Sequence, residues 1–158
     1  MSKFYVKPNI DFYAFSEDWL AERMLFIAGP RQVGKTTYAK KKISELGGNY
    51  FTWDDRNVRT AYAKDSGFFA ELTKPRELVV FDEIHKIKNW KNILKGAFDV
   101  YKSDFRFLIT GSAKLDTFRR SGDSLVGRYF LTHMLPLSLG DLSNSNFYEF
   151  NSAEDLLI

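Results

Sequence analysis

"AGPRQVGKTT", residues 28–37, decides the fold. It follows "MLFI" (24–27), a run apolar enough to form a buried strand. The chain then turns abruptly polar, with two glycines, a lysine and two threonines. Gly29, Gly34, Lys35 and Thr36 fit G-x-x-x-x-G-K-[ST]. Glycines let a backbone curl until successive N–H groups point inward, and a helix starting near Lys35 adds the positive end of its dipole. The stretch therefore reads as a phosphate cradle built from Gly29, Pro30, Arg31, Gln32, Val33, Gly34, Lys35, Thr36 and Thr37. Lys35 is expected to bridge β- and γ-phosphates and the Thr36 hydroxyl to ligate Mg²⁺. The competing reading is a tight turn followed by a helix with a solvated lysine.

The flanking sequence supplies a frame for the cradle. "KTTYAKKKISEL" (35–46) has helical spacing at Tyr38, Ala39, Ile43 and Leu46, and Gly47 and Gly48 stop it. "NYFTW" (49–53) reads as a second strand. Residues 56–65 and 67–72 read as helices closed by Pro75. "ELVVFDEI" (77–84) is the clearest buried strand, "KNWKNILKGAFDVYK" (88–102) an amphipathic helix, "FRFLIT" (105–110) a fourth strand and "RYFLTHML" (128–135) a fifth. A short helix is expected at 16–23, a loop with a short helix near 112–124, and a loop at 143–146. Continuous apolar strands alternating with helices imply an α/β fold whose parallel sheet is covered on both faces.

"LVVFDE" (78–83) complements the cradle. Asp82 stands at a strand end, where a carboxylate can hold Mg²⁺ through water, and Glu83 is placed to polarise an attacking water. The alternative is that both acids only cap the next helix. Asp-Glu fits ATPases that carry their own base, whereas GTPases usually show D-x-x-G. "AKLD" (113–116) resembles a guanine-reading motif, but Ala113 stands where an Asn amide is needed. ATP is therefore favoured over GTP.

Composition sets the outer limits. The 158 residues suit one domain, and the 44% hydrophobic and 27% charged content is that of a globular chain. Without cysteine there is neither a disulfide nor a thiolate metal site. No signal peptide and no membrane-length apolar run is visible, so a cytoplasmic protein is expected. The net charge of +3 divides into −4 over residues 129–158 and +7 before them. That bias suits an anionic ligand but does not argue for nucleic acid.

Other candidates are weaker. Thr110 and Ser112 in "LITGS" compete for a position sensing the γ-phosphate. Arg128 is either a finger reaching a nucleotide in a neighbouring copy, which implies a homo-oligomer, or a surface ion pair. Arg119 and Arg120 are lesser alternatives for the finger. His85 and His133 are too far apart in sequence to suggest a metal site. "KKK" (40–42) is expected on a solvated helix face, and Trp19, Trp53 and Trp90 in packing.

"GPRQVGKTT", "LVVFDEIHK", "FLITGSA", "SLVGR" and "LPLSL", in that order, resemble the AAA-type ATPase domain of the bacterial and archaeal ATPases that carry a C-terminal domain of unknown function. The resemblance covers about residues 20–140. It implies a three-layer, additional-strand P-loop fold with a five-stranded parallel sheet ordered 5-1-4-3-2, binding ATP with Mg²⁺. Lys35 and Thr36 then match the Walker A positions, Asp82 and Glu83 the Walker B positions, Thr110 or Ser112 the sensor, and Arg128 the family's Gly-Arg. The domains expected are an N-terminal extension (1–23), a P-loop ATPase domain (24–140) and the start of a truncated C-terminal region (141–158). Neither a helical lid nor a second sensor arginine is visible, so a nucleotide-gated interaction module with little turnover stands as the alternative to a hydrolase.

Overall fold

The computed structural model describes residues 23–112, 115 and 125–136. The helices expected at 16–23 and near 112–124, the loop at 143–146, Trp19, Arg119 and Arg120 fall wholly or mostly outside the described residues. So do most of the expected N-terminal extension and all of the expected C-terminal region.

Five strands form one sheet: β1 (Met24–Ala28), β2 (Gly48–Thr52), β3 (Leu78–Asp82), β4 (Arg106–Gly111) and β5 (Tyr129–His133). Their order is β2-β3-β4-β1-β5, and every pairing is parallel. This is the order 5-1-4-3-2 read from the other edge. Parallel neighbours need long crossovers. The described ones are α1 (Lys35–Leu46), the pair α2 (Arg56–Lys64) and α3 (Phe68–Leu72), and α4 (Trp90–Tyr101), the last preceded by a 3-10 turn at Ile84–Lys86.

Strand parity assigns side chains to the two faces. Leu25, Ile27, Leu78, Val80 and Leu108 point to the face that packs against Tyr38 and Ala39 of α1. Met24, Phe26, Val79, Phe81, Phe107 and Ile109 point to the other, against Phe68 and Phe69 of α3 and Trp90, Leu94 and Phe98 of α4. β1, β3 and nearly all of β4 are buried, which is why they read as continuous apolar runs. Aromatic rings fill the second face. Phe69 meets Phe68, Phe81, Tyr101, Phe105 and Phe107 at centroid distances of 5.1–6.1 Å, all edge-on. Trp53 and Trp90 join this core, as expected.

The sequence reading misses two local details. β2 begins at Gly48, one residue earlier than expected. Gly47, at φ 76°, ends α1, while Gly48 lies so close to β3 that a Cβ would sit 2.0 Å from the Leu78 carbonyl oxygen. The Gly-Gly pair thus stops a helix and starts a strand. The lysine run is also not wholly solvated. Lys40 is exposed, but Lys42 is buried, with its ammonium 2.7 Å from Glu45 Oε2 and 5.6 Å from the Tyr38 ring centroid. Its spacing of four residues from Tyr38 lays the aliphatic stem along that ring.

Among the described residues no helix is long and apolar enough to cross a membrane. Phe69→Ala is expected to cost about 3–5 kcal/mol, because five rings lose a partner at once. Urea unfolding measures this, and a loss under about 1 kcal/mol would contradict the packing described.

Candidate functional site

The strands are parallel, so their C-terminal ends share one edge of the sheet, and ligands in open α/β sheets bind outside that edge. β1 ends there in the loop 29–34. Two left-handed residues shape this loop, Gln32 at φ 66° and Gly34 at φ 98°. Such alternation turns successive N–H groups into one concavity. Gly34 is the N-cap of α1, makes no side-chain capping bond, and no acid occupies the first turn. The first-turn donors and the dipole therefore face the loop with no acid in that turn to satisfy them.

Gly29 does not serve the loop by curling, as its motif position suggests, but by close approach. Its φ is not positive; instead a Cβ there would lie 2.2 Å from the carbonyl oxygen of Met134. The chain leaving β5 presses on the cradle from beneath, tied by the Met134 N–H donating to Ala28 O at 2.8 Å.

Lys35 is buried, with 8% of its surface exposed. Its ammonium donates to the carbonyl oxygens of Gly29 (2.9 Å) and Pro30 (2.5 Å), folding back over the loop. Burial lowers its pKa, and the carboxylates of Glu83 and Asp82 partly restore it. A solvated lysine, the competing reading, is not what the structure holds. Arg31, Gln32, Thr36 and Thr37 are exposed along the rim, while Val33 packs beneath against the α1-side core.

Asp82 is the point of convergence. Parity puts residues 78, 80 and 82 on the α1 face, with Thr110 beside Asp82 in the register of β4. Thr110, fully buried, donates its hydroxyl to Asp82 Oδ1. Tyr50 donates its phenol to Oδ2, and Thr36 Oγ1 lies 3.4 Å from the same oxygen. Three elements thus supply hydroxyls to one buried carboxylate. Tyr50 escaped the sequence reading. The signal lay in the alternation of "NYFTW", which puts Tyr50 on the face of α1, but the strand order was needed to bring it beside Asp82.

Glu83 follows in the left-handed region at φ 57°, a conformation that costs a non-glycine residue about 1–2 kcal/mol. It caps the 3-10 turn without any side-chain capping bond. Asp82 likewise spends its side chain on hydroxyls, so neither acid's side chain caps a helix. Glu83 Oε2 lies 3.3 Å from His85 Nε2 and 3.8 Å from Lys86 Nζ. Lys86 in turn contacts Asp54 at 2.5 Å. Ser112 Oγ is 3.5 Å from the same His85 nitrogen. The two sensor candidates therefore differ: Thr110 is committed to Asp82, while Ser112 stands beside the histidine that holds Glu83.

Arg128 is remote from this cluster. It precedes β5, whose first residue pairs with Met24 at the start of β1, the edge opposite the cradle. Its guanidinium forms a two-point ion pair with Asp99 of α4 (2.7 and 3.1 Å).

Burial first, and then the bond to Asp82, push the Tyr50 phenol above its ordinary pKa of 10.0. A pKa raised on folding contributes stability that is complete below the unfolded value and is lost as pH rises through the folded one. Wild-type protein should therefore lose stability relative to Tyr50→Phe above about pH 10. Urea midpoints for the pair across that range test this, and an advantage that grows with pH would contradict it.

A family model described as AAA domain matches residues 21–143. The chain is 30% identical over 125 residues to an uncharacterized protein of Mycobacterium tuberculosis, covering 77% of this chain and 27% of that one. It is 28% identical over 144 residues to the Holliday junction branch migration complex subunit RuvB of Trichormus variabilis, covering 85% of this chain and 37% of RuvB. The chain thus spans between about a quarter and two fifths of the length of these relatives.

Proposed function

We propose that this chain, which belongs to the AAA domain family, binds ATP with Mg²⁺ in the 29–37 cradle and hydrolyses it with Glu83 as base. Membership alone makes it a nucleotide-binding, ATPase-like domain; the metal, the roles of individual residues and turnover are our reading. The observation that carries it is the approach of Thr36 Oγ1 to Asp82 Oδ2 across 46 residues of sequence, at the foot of the lysine-bearing loop. A hydroxyl and a carboxylate are hard oxygen donors, which suits Mg²⁺. Bound Mg²⁺ would neutralise charge developing on the β- and γ-phosphate oxygens.

In this reading the backbone N–H groups of the loop and of the α1 first turn hold the phosphates. Lys35 exchanges the Gly29 and Pro30 carbonyls for phosphate oxygens. Glu83 takes a proton from water as the water oxygen bonds to the γ-phosphorus and the bond to ADP breaks. Thr110 senses the γ-phosphate only through Asp82, and Ser112, beside the histidine that holds Glu83, is the candidate for direct contact. Arg128 is excluded from its own cradle by position. As a finger it would serve a neighbouring copy and would first have to leave Asp99.

The hold of His85 and Lys86 on Glu83 favours a second reading, a nucleotide-gated module whose base is released only by a partner or an attached domain. The Holliday-junction role in the name of RuvB belongs to that protein, and no concentrated basic stripe in this sequence argues for nucleic acid here.

Lys35→Ala should weaken ATP binding about 100-fold, since a charge-assisted contact to phosphate is lost. Calorimetric titration reads this, and unchanged affinity would remove the cradle from the site. Glu83→Gln should keep binding and lower phosphate release by about 10²–10⁴-fold. Steady unaided turnover by the wild type would count against the gated module, while equal turnover in both proteins would dismiss Glu83 as base. If Arg128 acts in a neighbour, turnover per chain should rise with protein concentration and Arg128→Ala should abolish that rise. Concentration-independent turnover, identical in the two proteins, would end the finger assignment.

A further inference from the structure

We infer that Tyr50 is a positioning residue for the carboxylate that serves the metal, an inference that rests on the Mg²⁺ site proposed above. A carboxylate offers about four acceptor positions. On Asp82 the Thr110 hydroxyl takes one on Oδ1, the Tyr50 phenol takes one on Oδ2, and Thr36 approaches Oδ2 at 3.4 Å. The Thr36 contact is the long one, and it comes from an exposed residue on the first turn of α1. The other two come from strands whose register with β3 is fixed on either side. β2 and β4 thus clamp the carboxylate from both flanks. The acceptor positions left over are what Asp82 would offer to a metal or to a water bound to it.

Only a long side chain can do this from β2. Thr52 is the register partner of Asp82, yet its hydroxyl accepts from the Asp54 N–H at 3.3 Å and meets the Tyr50 phenol rather than the carboxylate. Tyr50 pairs with Val80, two residues short of Asp82, and its ring spans that diagonal. The ring packs with the α1-side core of Leu78, Val80 and Tyr38, and Lys40 Nζ lies 5.2 Å from its centroid. A phenol stays protonated at neutral pH, so it is a standing donor with one direction to point. Without it, one flank of the carboxylate is released and Asp82 loses its fixed orientation.

The experiment measures affinity for a fluorescent ATP analogue while MgCl₂ is titrated from an EDTA-treated start. Tyr50→Phe should raise the Mg²⁺ midpoint about tenfold, the usual effect of deleting a group that orients a metal ligand. Its nucleotide affinity in EDTA, and the secondary structure seen by circular dichroism, should match wild type. Thr60→Val, which removes an exposed hydroxyl bonded to the Arg56 carbonyl on α2, should keep the wild-type midpoint. An unchanged midpoint in Tyr50→Phe overturns the inference and leaves the metal site standing. Equal loss of affinity with and without Mg²⁺ also overturns it, because the hydroxyl then supports the fold or cradle rather than the metal. Wild-type binding indifferent to Mg²⁺ overturns the metal site and the inference together.

Discussion

The site depends on the burial of one carboxylate. Asp82 ends β3 with only 6% of its surface exposed. Isolated from water, an ionised carboxylate is costly, and hydrogen bonds to the charged form are what offset that cost. Here the donors come from α1, β2 and β4, so the charge is tolerated only when those three elements stand in their observed places around β3. The sheet order delivers this: β3 lies between β2 and β4, and strand parity turns Tyr50, Asp82 and Thr110 to the face that α1 covers. Fold and site are therefore one constraint, and a shift of any strand by one residue would turn its polar group to the aromatic face.

The cradle shows the same economy. Its backbone is held open by left-handed residues at 32 and 34 and pressed from beneath by Met134 at Gly29. The ammonium that would meet phosphate is held on the loop's own carbonyls, close enough to Asp82 and Glu83 to feel both. Glu83 sits in a strained backbone conformation with its carboxylate shared between His85 and Lys86. The proposed cradle is thus set, while the proposed base is tethered, which is why a module that waits for a partner stands beside an unaided hydrolase.

Much of this was legible in the sequence because it rests on short-range pattern. Apolar runs before "GPRQVGKT" and "DE" mark β1 and β3, and α1 follows from its spacing and its glycine stop. Contacts made by the third dimension were harder to read. Gly29 looked like a loop-former and proved to be a point of close approach. Lys42 looked solvated within "KKK" but lies along Tyr38. For Arg128 the sequence allows either a finger or an ion pair, and the structure holds it on Asp99 at the edge away from the cradle. Tyr50 gave only the faint signal of strand alternation, since a tyrosine in a strand is ordinarily packing, and the placement of β2 beside β3 is what turns it toward Asp82.

The central claim is that Asp82 and its hydroxyls form the metal-bearing floor of a nucleotide cradle. The most direct measurement is paramagnetic broadening of backbone amide signals when Mn²⁺ is added with a non-hydrolysable ATP analogue. The account predicts broadening centred on Thr36, Asp82 and Thr110, reaching Lys35 and Glu83 and sparing Asp99 and Arg128. Broadening centred elsewhere, or the same pattern without nucleotide and in Asp82→Asn, would contradict it.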